Sequence, residues 1–372
     1  LNWSPQQDAA LKAVAKWLRD SNGPQVFRLF GFAGTGKTTL AQEVAKEVSG
    51  SVVYATFTGK AALVLRSKGC HGASTIHSLI YIPQGGDKGE APTFVLNPGS
   101  AAATSKLIVI DEVSMVGEAL ARDLLSFGTR ILVLGDPAQL PPVRGEGFFI
   151  NTQPDIMLTE VHRQAADNPI IRMSMDVREG RGLQVGQYGD SRVIRRGDLD
   201  RDAMRDLVLG ADQLLCGTNK TRQTYNARMR ELHGRAGLAD ACHPVAGDRL
   251  VCLRNNSEKM LLNGGLLDAV SASAKKGVLE IEVRSVDTPS AARVRVKVPA
   301  PFFNGTEKEL TWDKLKKVEQ FTYGYALTVH KAQGSQWDNV VLFDESRAFR
   351  DDAAKHLYTG LTRAAERITV VA

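Results

Sequence analysis

A glycine-rich run, two adjacent carboxylates and a few well-spaced polar residues carry the chemistry this chain can do. Gly31-Phe32-Ala33-Gly34-Thr35-Gly36-Lys37-Thr38-Thr39 fits the pattern G-x-x-x-x-G-K-[ST]. Glycines let the backbone curl until successive N–H groups point inward at phosphate oxygens. Gly34, Thr35, Gly36 and Thr39 belong to that cradle. Lys37 would reach the β- and γ-phosphates of a nucleoside triphosphate, and the Thr38 hydroxyl would ligate Mg²⁺. Further on, Leu107-Ile108-Val109-Ile110 runs into Asp111-Glu112. Asp111 would hold Mg²⁺ through water, and Glu112 would orient and deprotonate an attacking water. Gln139 follows the apolar run Ile131–Leu134, where it could sense a γ-phosphate. Arg163 is either a cation that reaches across a cleft to steady developing charge or a surface side chain. Gln7 has two readings of equal standing. It completes a capping box with Ser4, or it reads an adenine edge.

These residues need elements to position them. Val26–Phe30 reads as a buried strand, and Leu40–Val48 has helical apolar spacing. A strand, a glycine loop and a helix form the context that makes the pattern a phosphate site, because the helix N-terminus adds partial positive charge. Ser51–Thr56 is a second strand, ending in Thr58-Gly59-Lys60, a second anion site suited to a nucleic-acid phosphate. Ser74-Thr75-Ile76-His77 starts a third helix, in which His77 alone reads as structural. Leu79–Ile82 and Thr93–Leu96 are short β-rich runs around a turn-rich segment. They predict a protruding hairpin, either a wedge presenting Tyr81 or Phe94 or a solvated loop with its aromatics tucked inward. Leu107–Glu112 and Ile131–Asp136 are buried parallel strands whose C-terminal ends face ligands. Pro141 and Pro142 stiffen the next loop, as a contact for a strand or as a plain turn.

From about Ala166 arginines multiply and apolar runs shorten. Ala211–Cys216 is a strand leading to Gly217-Thr218-Asn219-Lys220 and a helix with Arg222 and Asn226, repeating the first lobe's layout. Gly247–Arg254, Gly277–Val286 and Ala292–Val298 alternate apolar and polar residues, which predicts a small antiparallel sheet or barrel. That unit ends near Glu319 after a lysine-rich helical run over Thr311–Val318. Tyr325–Val329 and Val340–Asp344 are strands, His356–Ala365 is a helix, and Ile368–Val371 is the last strand.

The chain has 372 residues, enough for two or three compact units. A net charge of +6 and a pI near 9.1 favour a polyanionic partner without establishing one. No apolar run is long enough to cross a bilayer and no signal peptide is visible, so a soluble, cytoplasmic protein is expected. Leu1 is not Met, so the start reads as trimmed. The four cysteines, Cys70, Cys216, Cys242 and Cys252, form no C-x-x-C pair and read as reduced thiols.

The order of these motifs resembles the superfamily-1 helicases of subfamily B, the RecD-like and phage Dda-like enzymes. Gly135-Asp136-Pro137-Ala138-Gln139-Leu140-Pro141-Pro142 and Val329-His330-Lys331-Ala332-Gln333-Gly334-Ser335-Gln336 are its most specific carriers, and the matches span nearly the whole chain. The resemblance implies an α/β fold of two RecA-like P-loop NTPase lobes with ATP and Mg²⁺ in the cleft between them. Residues 1–82 and 98–165 would form the first lobe, with the wedge hairpin at 83–97. Residues 166–243 and 322–372 would form the second, with an SH3-like β domain inserted at 244–321. Gln7 would read adenine, Arg163 and Arg363 would act at the lobe junction, and Gly334 would approach the γ-phosphate by its backbone. Single-stranded DNA would contact Thr58, Gly59, Lys60, His77, Phe94, Pro142, Thr218, Asn219 and His330. The implied partners are single-stranded DNA and its junctions with duplex, with single-stranded-DNA-binding or replication proteins beyond them. The implied host is a bacterial or phage-infected cell, and a monomer is expected. The implied activity is 5′-to-3′ DNA translocation and unwinding. An RNA-directed relative and a nucleotide-switched clamp are its rivals. The hairpin is short, its tip has no aromatic, and Phe94 is the one wedge candidate.

Overall fold

The computed structural model describes residues 3–84, 93–142, 145–161, 167–235, 243–256, 258–275, 277–288, 290–315 and 318–372. The turn of the hairpin, Arg163 and Cys242 therefore lie outside the described residues.

The first sheet is built from β1 (Val26–Gly31), β2 (Val52–Thr56), β3 (Ser74–Thr75), β6 (Leu107–Asp111), β7 (Ile131–Gly135) and β8 (Ile156–Leu158), after the hairpin strands β4 (Tyr81–Gln84) and β5 (Thr93–Leu96). Its strand order is β3-β2-β6-β7-β1-β8, and every pairing is parallel. Alternate residues of one strand feed opposite cores. Ile108 and Ile110 pack with Ile76, Ile80 and Phe149, whereas Leu107 and Val109 pack with the helices Pro5–Arg19 and Lys37–Glu47. Both faces are covered, which is why β6 reads as an unbroken apolar run.

Several expected boundaries move, among them the helix expected over His356–Ala365, which runs Ala353–Leu361 and gives way to a strand at Ala364. Leu79 and Ile80 belong to the helix Ile76–Ile80, whose N-cap Thr75 accepts a hydrogen bond from Ser78 N. The β-branched run only becomes a strand at Tyr81, once the helix has buried Ile80. Likewise Val329 opens the helix Val329–Ala332, capped by Thr328, rather than ending a strand.

The second sheet holds β9 (Gly186–Tyr188), β10 (Ser191–Ile194), β11 (Gln213–Cys216), β17 (Ala326–Thr328), β18 (Trp337–Phe343) and β19 (Ala364–Val371), in the order β17-β11-β18-β19-β10-β9. It is parallel except for the β9–β10 edge. The third sheet is antiparallel, in the order β15-β14-β13-β12-β16, from β12 (Arg249–Cys252), β13 (Leu266–Lys275), β14 (Val278–Ser285), β15 (Val294–Pro299) and β16 (Phe321–Tyr323). Leu279, Ile281 and Val283 face inward and alternate with Glu280, Glu282 and Arg284, as the period of two requires. β16 carries this sheet past the expected boundary at residue 321. Its core is continuous with the second lobe: Leu250, Ile281 and Phe321 share one cluster with Leu214, Val341 and Phe343.

Candidate active site

The glycine loop leaves β1 and enters the helix Lys37–Glu47. Gly34 and Gly36 hold φ of 78° and 81°, left-handed values that an L side chain resists. Gln7 braces the turn. Its Nε2 donates to Thr35 O at 3.1 Å and its Oε1 accepts from Ser4 N at 3.0 Å, completing the capping box. Lys37 Nζ donates to Gly31 O at 2.7 Å and Phe32 O at 3.0 Å, so the ammonium lies folded over its own loop. Thr38 Oγ1 donates to Asp111 Oδ2 at 2.9 Å.

The strand β6 ends at Asp111, one residue before the expected end. Glu112 turns out of it with φ of 57°, which swings its carboxylate toward the cleft. Burial pushes the Asp111 pKa up and the Glu112 charge adds to this, while Lys37 and the Thr38 hydrogen bond pull it down. Two oxygen donors, one of them a carboxylate held above its ordinary range, fit a hard cation such as Mg²⁺. Among the described residues no group of three or more His, Cys, Asp or Glu gathers, here or elsewhere. Gln139 is nearly buried, and its Oε1 has no hydrogen-bond partner. It lines the cleft and can accept from a water there.

The second lobe closes the other wall. Lys37, Thr38, Asp111, Glu112 and Gln139 share a cavity of about 170 Å³ with Gly334, Ser335 and Arg363. Arg363 is 5% exposed, held by Thr359 O at 3.1 Å, Ser335 O at 3.3 Å and Thr362 Oγ1 at 3.1 Å, with Nη1 3.9 Å from Glu112 Oε1. Gly334, at φ of 76°, sits so tightly on the helix Gly59–Ser67 that an added Cβ would lie 2.7 Å from Ala61 Cβ.

Several groups at this seam carried no role in the sequence reading. The Tyr358 hydroxyl accepts from Ala33 N at 2.8 Å and donates to Asp136 Oδ2 at 2.7 Å. Thr359 Oγ1 accepts from Leu140 N at 2.9 Å, and Gln333 Nε2 donates to Leu140 O at 3.0 Å. No local signal marks Tyr358, Thr359 or Gln333 in the sequence, since each is buried and bonds to a residue of the other lobe.

The residues expected along a nucleic-acid strand are more dispersed. Thr58 caps its helix through Ala61 N. Gly59 abuts Leu262 of the antiparallel unit, where an added Cβ would lie 2.9 Å from Leu262 Cβ. Lys60 departs from the expected open anion site: it is 7% exposed and its ammonium is paired with the Asp287 carboxylate. The Gly217 and Thr218 amides are likewise taken, by Glu345 Oε2 at 2.7 and 3.0 Å. In both places the burial of a polar group has recruited an internal carboxylate. His77 stands 4.7 Å from the Tyr81 ring and 4.6 Å from the Phe94 ring. Tyr81 is tied down by Asp123, while Phe94 is 51% exposed. Pro142 is half-buried beside the pinned Leu140. Asn219 and His330 line one further cavity, and burial lowers the His330 pKa. Cys70, Cys216 and Cys252 are free and buried, and no described helix is long and apolar enough to cross a membrane.

Two parallel sheets that face each other across a glycine-lysine loop define a P-loop protein with two RecA-like lobes. Residues 2–199 match the AAA-domain family, and residues 323–371 match the UvrD-like helicase C-terminal domain. The ATP-dependent RecD2 DNA helicase of Deinococcus radiodurans is 32% identical over 369 residues, covering 93% of this chain and 46% of that protein. The ATP-dependent DNA helicase Pif1 of Bdellovibrio bacteriovorus is 25% identical over 378 residues, covering 91% and 81%. The structure of Bacteroides Pif1 bound to ssDNA superposes with a TM-score of 0.59 at 18% identity, covering 100% of this chain and 92% of that one, a likeness of fold. The chain thus belongs to the AAA-domain family, in its superfamily-1B helicase branch. It spans less than half the length of the Deinococcus relative.

Proposed function

We propose that this chain is the motor of an ATP-driven 5′-to-3′ single-stranded DNA translocase and helicase. One observation carries the reading. A single cavity is walled by Lys37, Asp111 and Glu112 from one lobe and by Gly334 and Arg363 from the other. A ligand that needs both walls closes the cleft, and its cleavage releases it.

The amides of the loop and Lys37 take the phosphates. Thr38 and Asp111 would hold Mg²⁺, which supplies charge neutralisation across the phosphates. Glu112 takes a proton from a water that Gln139 Oε1 orients, and Arg363 steadies charge from the opposite wall. Gln7 retains one N–H and one lone pair for an adenine edge beyond the bonds it already makes. Arg163 would join from the first lobe. The strand would cross both lobes near Thr58, His77, Phe94, Pro142, Asn219 and His330. Relatives named as DNA helicases and the neighbour bound to ssDNA support DNA as the polymer.

The test is strand displacement on duplexes with either a 5′ or a 3′ single-stranded tail, with ATP hydrolysis measured beside DNA and beside RNA. Unwinding of the 5′-tailed duplex alone, with DNA-stimulated hydrolysis, is expected. Stimulation by RNA alone would make the chain an RNA helicase, and unwinding from the 3′ tail would reverse the polarity.

A further inference from the structure

A cavity of about 510 Å³ lies beside the C-terminal end of the helix Asn219–Leu232, against the antiparallel sheet. That volume falls within the roughly 300–1,000 Å³ of small-ligand sites. Among the described residues no first-lobe residue lines it, nor any residue expected around the nucleotide or along the strand. Its floor is aliphatic. Val208, Leu214, Met229 and Ala269 are all buried there, within the core that fuses the antiparallel unit to the second lobe. Its charged lining is unbalanced, with four arginines against two aspartates.

The imbalance follows from the sheet register. Asp268 on β13 stands opposite both Arg249 on β12 and Arg284 on β14, so one carboxylate faces two guanidinium groups. Arg249 takes it, its Nε donating to Asp268 Oδ1 at 2.6 Å. Arg284 stays exposed, and among the described residues it has no carboxylate at ion-pair distance. Arg235 donates to the Tyr325 hydroxyl, a neutral group that in turn donates to Asp248 Oδ1 at 2.9 Å. Gly247 makes room for this guanidinium, since an added Cβ would stand 2.8 Å from Arg235 Nη2. The other aspartate, Asp212, accepts from Asn339 N at 2.8 Å. Arg293 is the fourth cation and lies 3.5 Å from Glu282.

Such a rim attracts anions, and guanidinium forks match carboxylates in shape. The floor calls for an apolar body beside the anion. It suits an aliphatic side chain better than a nucleic-acid base, which stacks on open aromatic faces. The ring in the lining, Tyr325, is already stacked on His233 at 5.4 Å. We propose that this cavity docks an acidic segment of a partner protein, one aliphatic side chain on the floor and its flanking carboxylates against Arg235 and Arg284. The seat belongs to one close-packed body, so it keeps its shape while the cleft between the lobes opens and closes. A partner held there travels with the motor through the whole cycle.

The probe is a fluorescein-labelled hexapeptide of alternating aspartate and leucine, followed by anisotropy with the full chain at low salt. Saturable binding to the parent is expected. A peptide with asparagine for every aspartate should not bind. One with serine for every leucine should bind about tenfold or more weakly, the worth of burying one leucine. Arg284→Glu should weaken binding of the acidic peptide about tenfold, because an attraction is replaced by a repulsion. An unfolding midpoint at the parent's value shows that this variant is folded, and Arg293→Glu takes its place if it is not. A parent that does not bind the peptide overturns the proposal, as does a folded variant that binds it like the parent. Oligothymidylate should leave the peptide in place. If it displaces the peptide from the parent and Arg284→Glu weakens its own binding, the cavity is a nucleic-acid contact instead. Affinity for the peptide should be the same with and without a non-hydrolysable ATP analogue, and a change would overturn the fixed seat.

Discussion

Tyr358→Phe removes one oxygen from the seam between the lobes, and its effect can be worked from three atoms. The hydroxyl accepts from Ala33 N in the glycine loop and donates to Asp136 Oδ2, and Tyr358 is 1% exposed. Burial already holds the Asp136 pKa up, opposed by Lys37 and by this hydrogen bond. Without the hydroxyl, a buried carboxylate and a half-buried amide each lose a partner. A bond to a charged group is worth about 1.5–3 kcal/mol and an orphaned donor costs a similar amount, so about 3 kcal/mol is a fair lower figure. When the lobes part, both groups can meet water, so the penalty falls on the closed arrangement. That disfavours closure by about a hundredfold. Hydrogen exchange read on a peptide spanning residues 31–36 should show Ala33 losing protection. DNA-stimulated ATP hydrolysis should fall by one to two orders of magnitude. If exchange at Ala33 and the hydrolysis rate both match the parent, the Tyr358 bridge does not hold the cleft, and the argument fails.

Other outcomes follow from the same geometry. Glu112→Gln should abolish turnover while ATP-dependent oligonucleotide binding persists; hydrolysis at the parent rate would remove Glu112 as the base. Gly334→Ala forces a side chain into a left-handed residue against Ala61 and should slow hydrolysis roughly tenfold, since the backbone strain alone is about 1–2 kcal/mol. Asp287→Ala strands the Lys60 ammonium. It should cost about 1–3 kcal/mol, less than the 3–5 kcal/mol of a fully buried pair, read as faster exchange over residues 56–62. His356 is fully buried with both ring nitrogens unpartnered, and burial first, then His330, lower its pKa to about 4. The unfolded chain therefore binds this proton first. The stability that neutral His356 brings is whole above about pH 6.5 and is lost as pH falls toward 4. Between pH 7.5 and 5 the parent should lose about 2 kcal/mol more than His356→Phe in urea melts, and parallel losses would refute the assignment.

Much of the catalytic wall was legible because a short pattern dictates it. Gly34, Gly36, Lys37 and Thr38 need one loop geometry, and Asp111-Glu112 ends a strand buried on both faces, so position follows from local rules. The parallel sheets were legible for the same reason. β13 was not: Leu266-Leu267-Asp268-Ala269-Val270-Ser271-Ala272-Ser273-Ala274-Lys275 has few β-branched residues and is held by pairing to β12 and β14. Its strand state comes from neighbours far along the chain, which propensity does not encode. The partners of Lys60 and Thr218 escaped for a related reason. Asp287 and Glu345 lie 227 and 127 residues away, and nothing local marks either as a counter-charge. Tyr358 and Thr359 read as ordinary helix positions until the opposite lobe is present.

The shared core that fuses the antiparallel unit to the second lobe has a mechanical consequence. Leu250, Ile281 and Phe321 interlock with Leu214, Val341 and Phe343, so sliding there would open voids and is resisted. Among the described residues, the unit touches the first lobe at Leu262 against Gly59 and at Asp287 against Lys60. It should behave as an outrigger, bolted to one hull and resting lightly on the other. Whatever swing the nucleotide drives is then absorbed at that light footing, and the outrigger's far edge sweeps the longest arc.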